Sequence, residues 1–198
     1  MSNTTQIYLT RHGQSIWQIQ RDENWDTPLT DLGHRQARRL GQWLAAQPDL
    51  PLARLRGSTL ERARQTGAYL ADALQLPLLP DDNLREAEFW IAPHLPSVDH
   101  PRQSADGWQP PPIYTAFKRQ ARQALDQLVA DTEEAGGPVL AVAHGGLIAT
   151  MLRLMVKSDH IAFWSHNTAL HKIEWSRGRW QIMYLNRLEH LPDDLRTY

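Results

Sequence analysis

The 198-residue chain has no cysteine. That excludes a disulfide framework, a thiol nucleophile and a zinc site built on thiolates. It leaves the redox compartment open. An excess of one charge is also missing. Against 21 Lys and Arg stand 22 Asp and Glu, a formal net charge of −1. No overall cationic field therefore points to nucleic acid or to an anionic membrane surface. No run of about 18 apolar residues is present to span a bilayer. The polar start, Met1 to Gln6, lacks the basic and then apolar pattern of a signal peptide, so a cytoplasmic protein is expected. Lysine is scarce as well. Lys118, Lys157 and Lys172 are its sole examples, and every other cation is arginine, whose planar fork suits phosphate and carboxylate.

What is present alternates between two periodicities. Ile7-Tyr8-Leu9 is a short apolar run ending at Thr10-Arg11-His12-Gly13, and it predicts a buried first strand. Thr30 to Ala46 reads as a helix on Ala37, Leu40 and Leu44, and Pro48 and Pro51 close it. Leu52 to Gly57 reads as a second strand. Leu60, Ala63, Gly67, Leu70 and Leu74 form the stripe of a second helix, and Leu78-Leu79 a short edge strand. Residues 81–112 are irregular and rich in proline, and so long a loop in a compact domain is usually functional or mobile. Tyr114, Phe117, Ala121, Ala124 and Leu128 mark a third helix, which Gly136-Gly137-Pro138 ends. Val139 to Ala143 is continuously apolar, as suits a central parallel strand, and runs into His144-Gly145-Gly146 and an apolar helix. Segments 169–175 and 180–186 read as a closing hairpin around Ser176-Arg177-Gly178. No internal repeat or linker divides the chain. Strands alternating with helices imply an α/β fold, a three-layer α/β/α sandwich with a mostly parallel sheet.

Ligands of such sheets bind beyond the carboxyl ends of the strands. Two strands end alike here, one in Arg11-His12-Gly13 and one in His144-Gly145-Gly146. Each imidazole is followed by glycine, which lets backbone N–H groups approach an anion. Histidines and arginines on one edge suit phosphoryl transfer, which is mainly positioning and charge stabilisation. No acidic cluster accompanies the His-Gly strand ends, so no metal is expected, and arginine and imidazole would neutralise the charge instead. A neutral imidazole is a competent nucleophile, and arginines beside His12 keep it neutral. The leaving oxygen needs an acid, for which Glu86 and Glu88 are the candidates.

The chain resembles the histidine phosphatase superfamily, also called the phosphoglycerate mutase-like family, over nearly its whole length. The resemblance lies in Leu9-Thr10-Arg11-His12-Gly13-Gln14-Ser15, then Pro28-Leu29-Thr30-Asp31-Leu32-Gly33 with Gln36-Ala37. It continues through Ser58 to Thr66, Leu84-Arg85-Glu86, Val142-Ala143-His144-Gly145-Gly146 and Asn167-Thr168-Ala169-Leu170. It implies one domain over residues 1–198, with an irregular Pro-rich cap at about residues 87–113. It implies His12 as the nucleophile that becomes phosphorylated, and Glu86 as proton donor and later base. Arg11, Arg62 and His144 would complete the phosphate pocket, with Gln14, Ser15 and Gly145 lining it. Where the family often has asparagine six residues after the nucleophile, this chain has Gln18, expected to reach the substrate in its place. The segment Ala87 to Pro93 also departs from the family pattern.

The resulting expectation is a metal-independent phosphatase without cofactor, acting on a small-molecule phosphate monoester through a phosphohistidine. A phosphomutase and a non-catalytic phospho-ligand-binding module are the alternatives. Neither a nucleic-acid nor a membrane partner is expected, and the oligomeric state is unreadable. Arg56 and Arg64 read as surface or structural. His34, His160, His166, His171 and His190 read as surface or satisfied residues. His94, His100 and Arg102 sit in the irregular segment, expected to fold over the site, and Trp17, Trp25, Trp90 and Trp108 are placed to line a pocket mouth.

Overall fold

The computed structural model describes residues 4–20 and 24–198, so the polar start Met1–Asn3 lies outside it. Among the described residues, β1 (Thr5–Arg11), β2 (Arg54–Ser58), β3 (Leu78–Asp81), β4 (Val139–Ala143), β5 (Leu170–Ser176) and β6 (Arg179–Arg187) form one sheet. Its order is β3-β2-β4-β1-β5-β6. The first four strands in that order are parallel, and β5 and β6 close the sheet as an antiparallel hairpin. The expected α/β/α sandwich is the observed fold, with an antiparallel edge where the hairpin signal lies. None of the helices found is long and apolar enough to cross a membrane.

Strand alternation sorts the core into two layers. Ile7 and Leu9 of β1, and Val139, Ala141 and Ala143 of β4, point to the side covered by α4 (Pro112–Ala135) and α5 (Gly145–Val156). Tyr8, Leu140 and Val142 point to the side covered by α2 (Asp31–Ala45) and α3 (Glu61–Leu74). Every residue of β4 is buried, as a strand with helices on both faces must be. Thr30 starts α2 by accepting a hydrogen bond from the Gly33 N–H at 3.0 Å. A one-turn helix, α1 (Ile16–Ile19), precedes it and was too short to leave a periodic signal.

The irregular segment after β3 is packed down in part, with residues 97–104 exposed. Phe89 meets Phe117 edge to face at 5.9 Å, and Ile91, Leu95 and Trp108 lean on the α4/α5 core layer. Gln120 of α4 donates to the carbonyls of Asn83 and Arg85 at 3.2 and 2.9 Å. Backbone that lacks a ladder thereby gains partners and a fixed course.

One acid lies on the buried face of α4. Asp131 is fully enclosed, and β2 supplies its counterions: Arg54 Nη1 and Arg56 Nη2 both reach Oδ1 at 2.8 Å, and Arg56 Nε bonds Oδ2. Arg56 is thus structural, as expected. Removing the carboxylate strands the partly buried Arg56, while Arg54 keeps Glu134 at 2.9 Å. Asp131→Ala should lower unfolding free energy by about 3 kcal/mol, read from urea denaturation midpoints. An unchanged midpoint would show that the cluster contributes no net stability.

Candidate active site

The parallel register of β1 and β4 builds the centre of the site. Leu9 lies opposite Ala141 and Arg11 opposite Ala143, so both strands stop at the same level. The His12 N–H then bonds the Ala143 carbonyl at 3.0 Å. The two imidazoles that follow stand with ring centroids 5.0 Å apart. β2 ends beside β4, which brings the Ser58 hydroxyl to 2.8 Å from His144 Nε2. The first turn of α3 begins there and carries Arg62 inward, so that its Nε lies 3.2 Å from His12 Nε2.

Hydrogen bonding assigns the tautomer of His12. His12 Nδ1 lies 2.6 Å from the Gly13 carbonyl, which can only accept, so Nδ1 carries the proton. Nε2 therefore keeps its lone pair, toward which Arg62 Nε–H points. Ser58 Oγ accepts from Leu60 N–H at 3.3 Å and lies 2.8 Å from His144 Nε2, a contact in which either partner can donate. His144 Nδ1 and Arg11 Nε are both buried without a hydrogen-bond partner among the described residues. Buried polar atoms are normally satisfied, and Arg11 Nε–H is a donor that an anion in the basin would satisfy. Burial holds both imidazoles well below their ordinary pKa, and the neighbouring guanidiniums add to the effect.

The cations are constrained too. Arg11 Nη1 donates to the Ser165 carbonyl at 2.7 Å, and desolvation pulls its pKa down to about 10. Arg62 Nη1 donates to the Trp25 carbonyl at 3.0 Å, its guanidinium carbon stands 5.2 Å from the Trp25 ring, and Asp26 lies at 3.8 Å. Opposite them Glu86 accepts from the Gly146 N–H at 2.8 Å and from the Ala87 N–H at 3.1 Å. Desolvation raises its carboxyl above the ordinary range, while those two donors, Arg11 and Arg62 pull the other way. Glu88 instead lies at the rim, its side chain 70% exposed and 3.9 Å from Arg85.

The other expected residues form the frame rather than the basin. Gln14 bonds Gln36 through its N–H and takes the Thr30 hydroxyl on Oε1 at 2.9 Å. Ser15 starts α1, and its N–H bonds Gln18 Oε1 at 3.0 Å. Gln18 also exchanges amide bonds with Asn167, at 3.0 and 3.1 Å. The expected contact of Gln18 with substrate thus competes with this pairing. Gly145 lies against Arg11, where a Cβ would sit 3.6 Å from Nε. Asn167 was legible as a motif without a role; here its Nδ2 holds the His12 carbonyl at 2.9 Å. Beside it, buried Thr168 has φ +57°, an outlier for a β-branched residue, and its N–H bonds the Arg11 carbonyl. Strain of about 1–3 kcal/mol at such a residue is characteristic of a functional frame. Ser58 and Thr66, whose hydroxyl takes the Gly13 N–H at 3.0 Å, lie within a quoted motif but had no role of their own there, and Ser165 gave no sequence signal.

Above the basin is a cavity of about 400 Å³ lined by Arg62, Glu86, Glu88, Trp17, Trp25 and the stretch Phe89 to Ala92. Trp17, Trp25 and Trp90 are at its mouth as expected. Trp108 is not; it packs on the core. His94, His100 and Arg102 do not line it either. His94 meets Phe89 edge to face at 5.3 Å. Arg102 N–H bonds His100 in an exposed turn.

The two strand-end histidines, the flanking arginines and the acid on the facing loop are borne by a chain that belongs to the histidine phosphatase superfamily. The profile of the first branch of that superfamily matches residues 7–188. Among individual proteins, the chain is 27% identical over 194 residues to the probable phosphoglycerate mutase GpmB of Yersinia pestis, covering 88% of this chain and 87% of that one. The structure of Bacillus stearothermophilus YhfR is similar at a TM-score of 0.73 and 26% identity, over 94% of this chain and 98% of that one. A mycobacterial glucosyl-3-phosphoglycerate phosphatase, solved with VO3, is similar at a TM-score of 0.66 and 25% identity, over 92% and 99% of the two chains. Proteins named for mutation and for hydrolysis both match, so the reaction has to be argued from the site.

The placing of Glu86 depends on a missing side chain. A Cβ on Gly146 would lie 2.6 Å from both Glu86 Oε1 and Ile91 Cδ1. Gly146→Ala should therefore push the carboxylate out of place and cost on the order of a hundredfold in turnover of an aryl phosphate, with the fold retained by circular dichroism. Full activity in that variant would show that the position of Glu86 is unimportant.

Proposed function

We propose that this protein is a metal-independent phosphatase that hydrolyses a small-molecule phosphate monoester through a phosphohistidine on His12. The observation that carries this is the unprotonated Nε2 of His12 at the floor of a basin flanked by the donors of Arg11 and Arg62 and faced by Glu86. In the first step Nε2 attacks phosphorus, the bond from phosphorus to the ester oxygen breaks, and Glu86 gives that oxygen its proton. Arg11, Arg62 and His144 stabilise the equatorial oxygens. In the second step water attacks the phosphohistidine, Glu86 takes its proton, and the nitrogen–phosphorus bond breaks to release inorganic phosphate. Glu86 is favoured over Glu88 as the acid because it faces the basin and desolvation favours its protonated form.

Hydrolysis is favoured over mutation by water access. The rim residues Trp90 and Glu88 are exposed, which leaves the cavity above His12 open to water once the alcohol departs. A phosphomutase would share the first step, and the named mutase among the relatives makes the product test necessary. Incubation with 3-phosphoglycerate should yield free phosphate or nothing. Formation of 2-phosphoglycerate without loss of phosphate would establish the mutase instead, and binding without turnover of any ester the non-catalytic module.

The protonation states set the pH dependence. His12 is held well below its ordinary pKa, so it is neutral and nucleophilic from mildly acidic pH upward. Glu86 must be protonated, so kcat/KM falls as pH rises through its raised pKa. The profile for an aryl phosphate should peak on the acid side of neutrality. His12→Ala should abolish turnover. Glu86→Gln should lower it about 10²- to 10⁴-fold and remove the alkaline limb. Activity in His12→Ala, or an unchanged alkaline limb in Glu86→Gln, would contradict the mechanism. A chelator is expected to leave the rate unchanged.

A further inference from the structure

The walls of the cavity specify more than a phosphate. Below, the basin is cationic and polar. Above it the surface changes character abruptly to Trp17, Trp25, Phe89, Trp90 and Ile91. Among the described lining residues Arg62 is the sole cation, and it is committed downward to His12, to the Trp25 carbonyl and to Asp26. The remaining charges of the lining are both carboxylates, Glu86 and Glu88. The nearby cation Arg85 is held outside the lining by the Thr59 hydroxyl at 3.3 Å and by Glu88.

The aromatic wall is also pre-built. Phe89 is wedged between His94 and Phe117, at 5.3 and 5.9 Å, and Gln120 clamps the backbone just before it. The Trp25 ring carries the Arg62 guanidinium against it. Trp90, next to the wedge, keeps 60% of its surface exposed at the rim. A large apolar ring held in water next to a concave site is the place where an apolar ligand gains most by covering it.

Resting on the hydrolase reading, we propose that the preferred substrates are monoesters of aromatic or otherwise flat apolar alcohols that carry no second anionic group. A substrate with a carboxylate beside its phosphate would bring that charge toward Glu86 and Glu88 and against aromatic faces, in a lining where Arg62 is the sole described cation. That arrangement is unfavourable for an anion, because a buried charge without a partner loses its hydration and gains nothing in return. An aromatic alcohol would instead lie against Trp25 and Trp90, each ring contact contributing about two- to tenfold in affinity. Trp90 and Glu88 are then the specificity-determining pair, one attracting an apolar group and the other rejecting an anion.

The test compares benzyl phosphate with 3-phosphoglycerate, whose leaving alcohols have similar reactivity, on the full chain. The expected kcat/KM ratio is at least about tenfold in favour of benzyl phosphate. Trp90→Ala should shrink that ratio by raising KM for benzyl phosphate, and Glu88→Lys should shrink it by lowering KM for 3-phosphoglycerate. Both side chains are exposed, so both variants should keep the fold. Equal or better use of 3-phosphoglycerate, or a ratio that neither variant moves, would overturn the proposal. Calorimetry with benzylphosphonate, which cannot be hydrolysed, separates the two levels. Tighter binding of it than of 3-phosphoglycerate in a protein that releases no phosphate would refute the hydrolase reading and uphold the ligand class. Weaker binding in a protein that does release phosphate would refute the ligand class and uphold the hydrolase.

Discussion

The parallel pairing of β1 with β4 is the constraint on which the site depends. Because Arg11 lies opposite Ala143, the chain leaves both strands at one level, and a backbone hydrogen bond from His12 to Ala143 holds that level past the last rung. A slip of one residue would turn Leu9 and Ala141 from one core layer into the other, and burial therefore fixes the register. The same burial that stabilises the sheet sets the spacing of the imidazoles. Ser58 and Arg62 follow from the next strand inward to the sheet edge, and the acid comes from the loop after β3. The frame behind them is drawn from the far end of the chain. Thr197 bonds both Asn167 and Gln36, and Asn167 in turn holds the His12 carbonyl. The C-terminal residues thus brace the strand end that carries the nucleophile.

The electrostatics of the basin follow from crowding two arginines around two buried imidazoles, with Asp26 beside Arg62 and Glu86 opposite. Two histidines and two arginines are gathered with one partly buried acid, and the imidazoles respond by staying neutral. Desolvation and like charge act in the same direction on them, whereas on Glu86 desolvation opposes the pull of the arginines. A phosphate entering the basin would reverse this balance, giving the orphaned Nε–H of Arg11 an acceptor. Near-zero net charge over the whole chain is compatible with this, because the carboxylates that balance it lie elsewhere, such as Asp131 against Arg54 and Arg56. The excess of arginine over lysine is explained at those positions and at Arg11 and Arg62, and nothing in the structure explains it at the exposed helix positions.

Much of this was legible in the sequence because it is local. A continuous apolar run ending in His-Gly identifies a buried strand end, and helical stripes identify the layers that cover it. Contacts between distant residues left no such trace. Gln18 looks like a substrate contact from its offset to His12, yet its partner Asn167 lies 149 residues away, and only the fold brings them together. Trp108 resembled a pocket residue because it lies in an irregular segment, which has no period from which a buried face can be read; it is core. Asp131 is hidden on the apolar side of α4, and its presence there makes sense once β2 is known to run alongside. The one-turn α1 is below the length at which periodicity carries information.

The central claim is that His12 reacts through the nitrogen left unprotonated by its hydrogen bond to Gly13. Trapping the intermediate by rapid mixing with an aryl phosphate and denaturing in alkali would test it directly, with the phosphorylated nitrogen assigned by ³¹P and ¹⁵N NMR. The geometry predicts one acid-labile phosphoryl group on Nε2 of His12. Phosphate on Nδ1, on another side chain, or on no residue during turnover would contradict it.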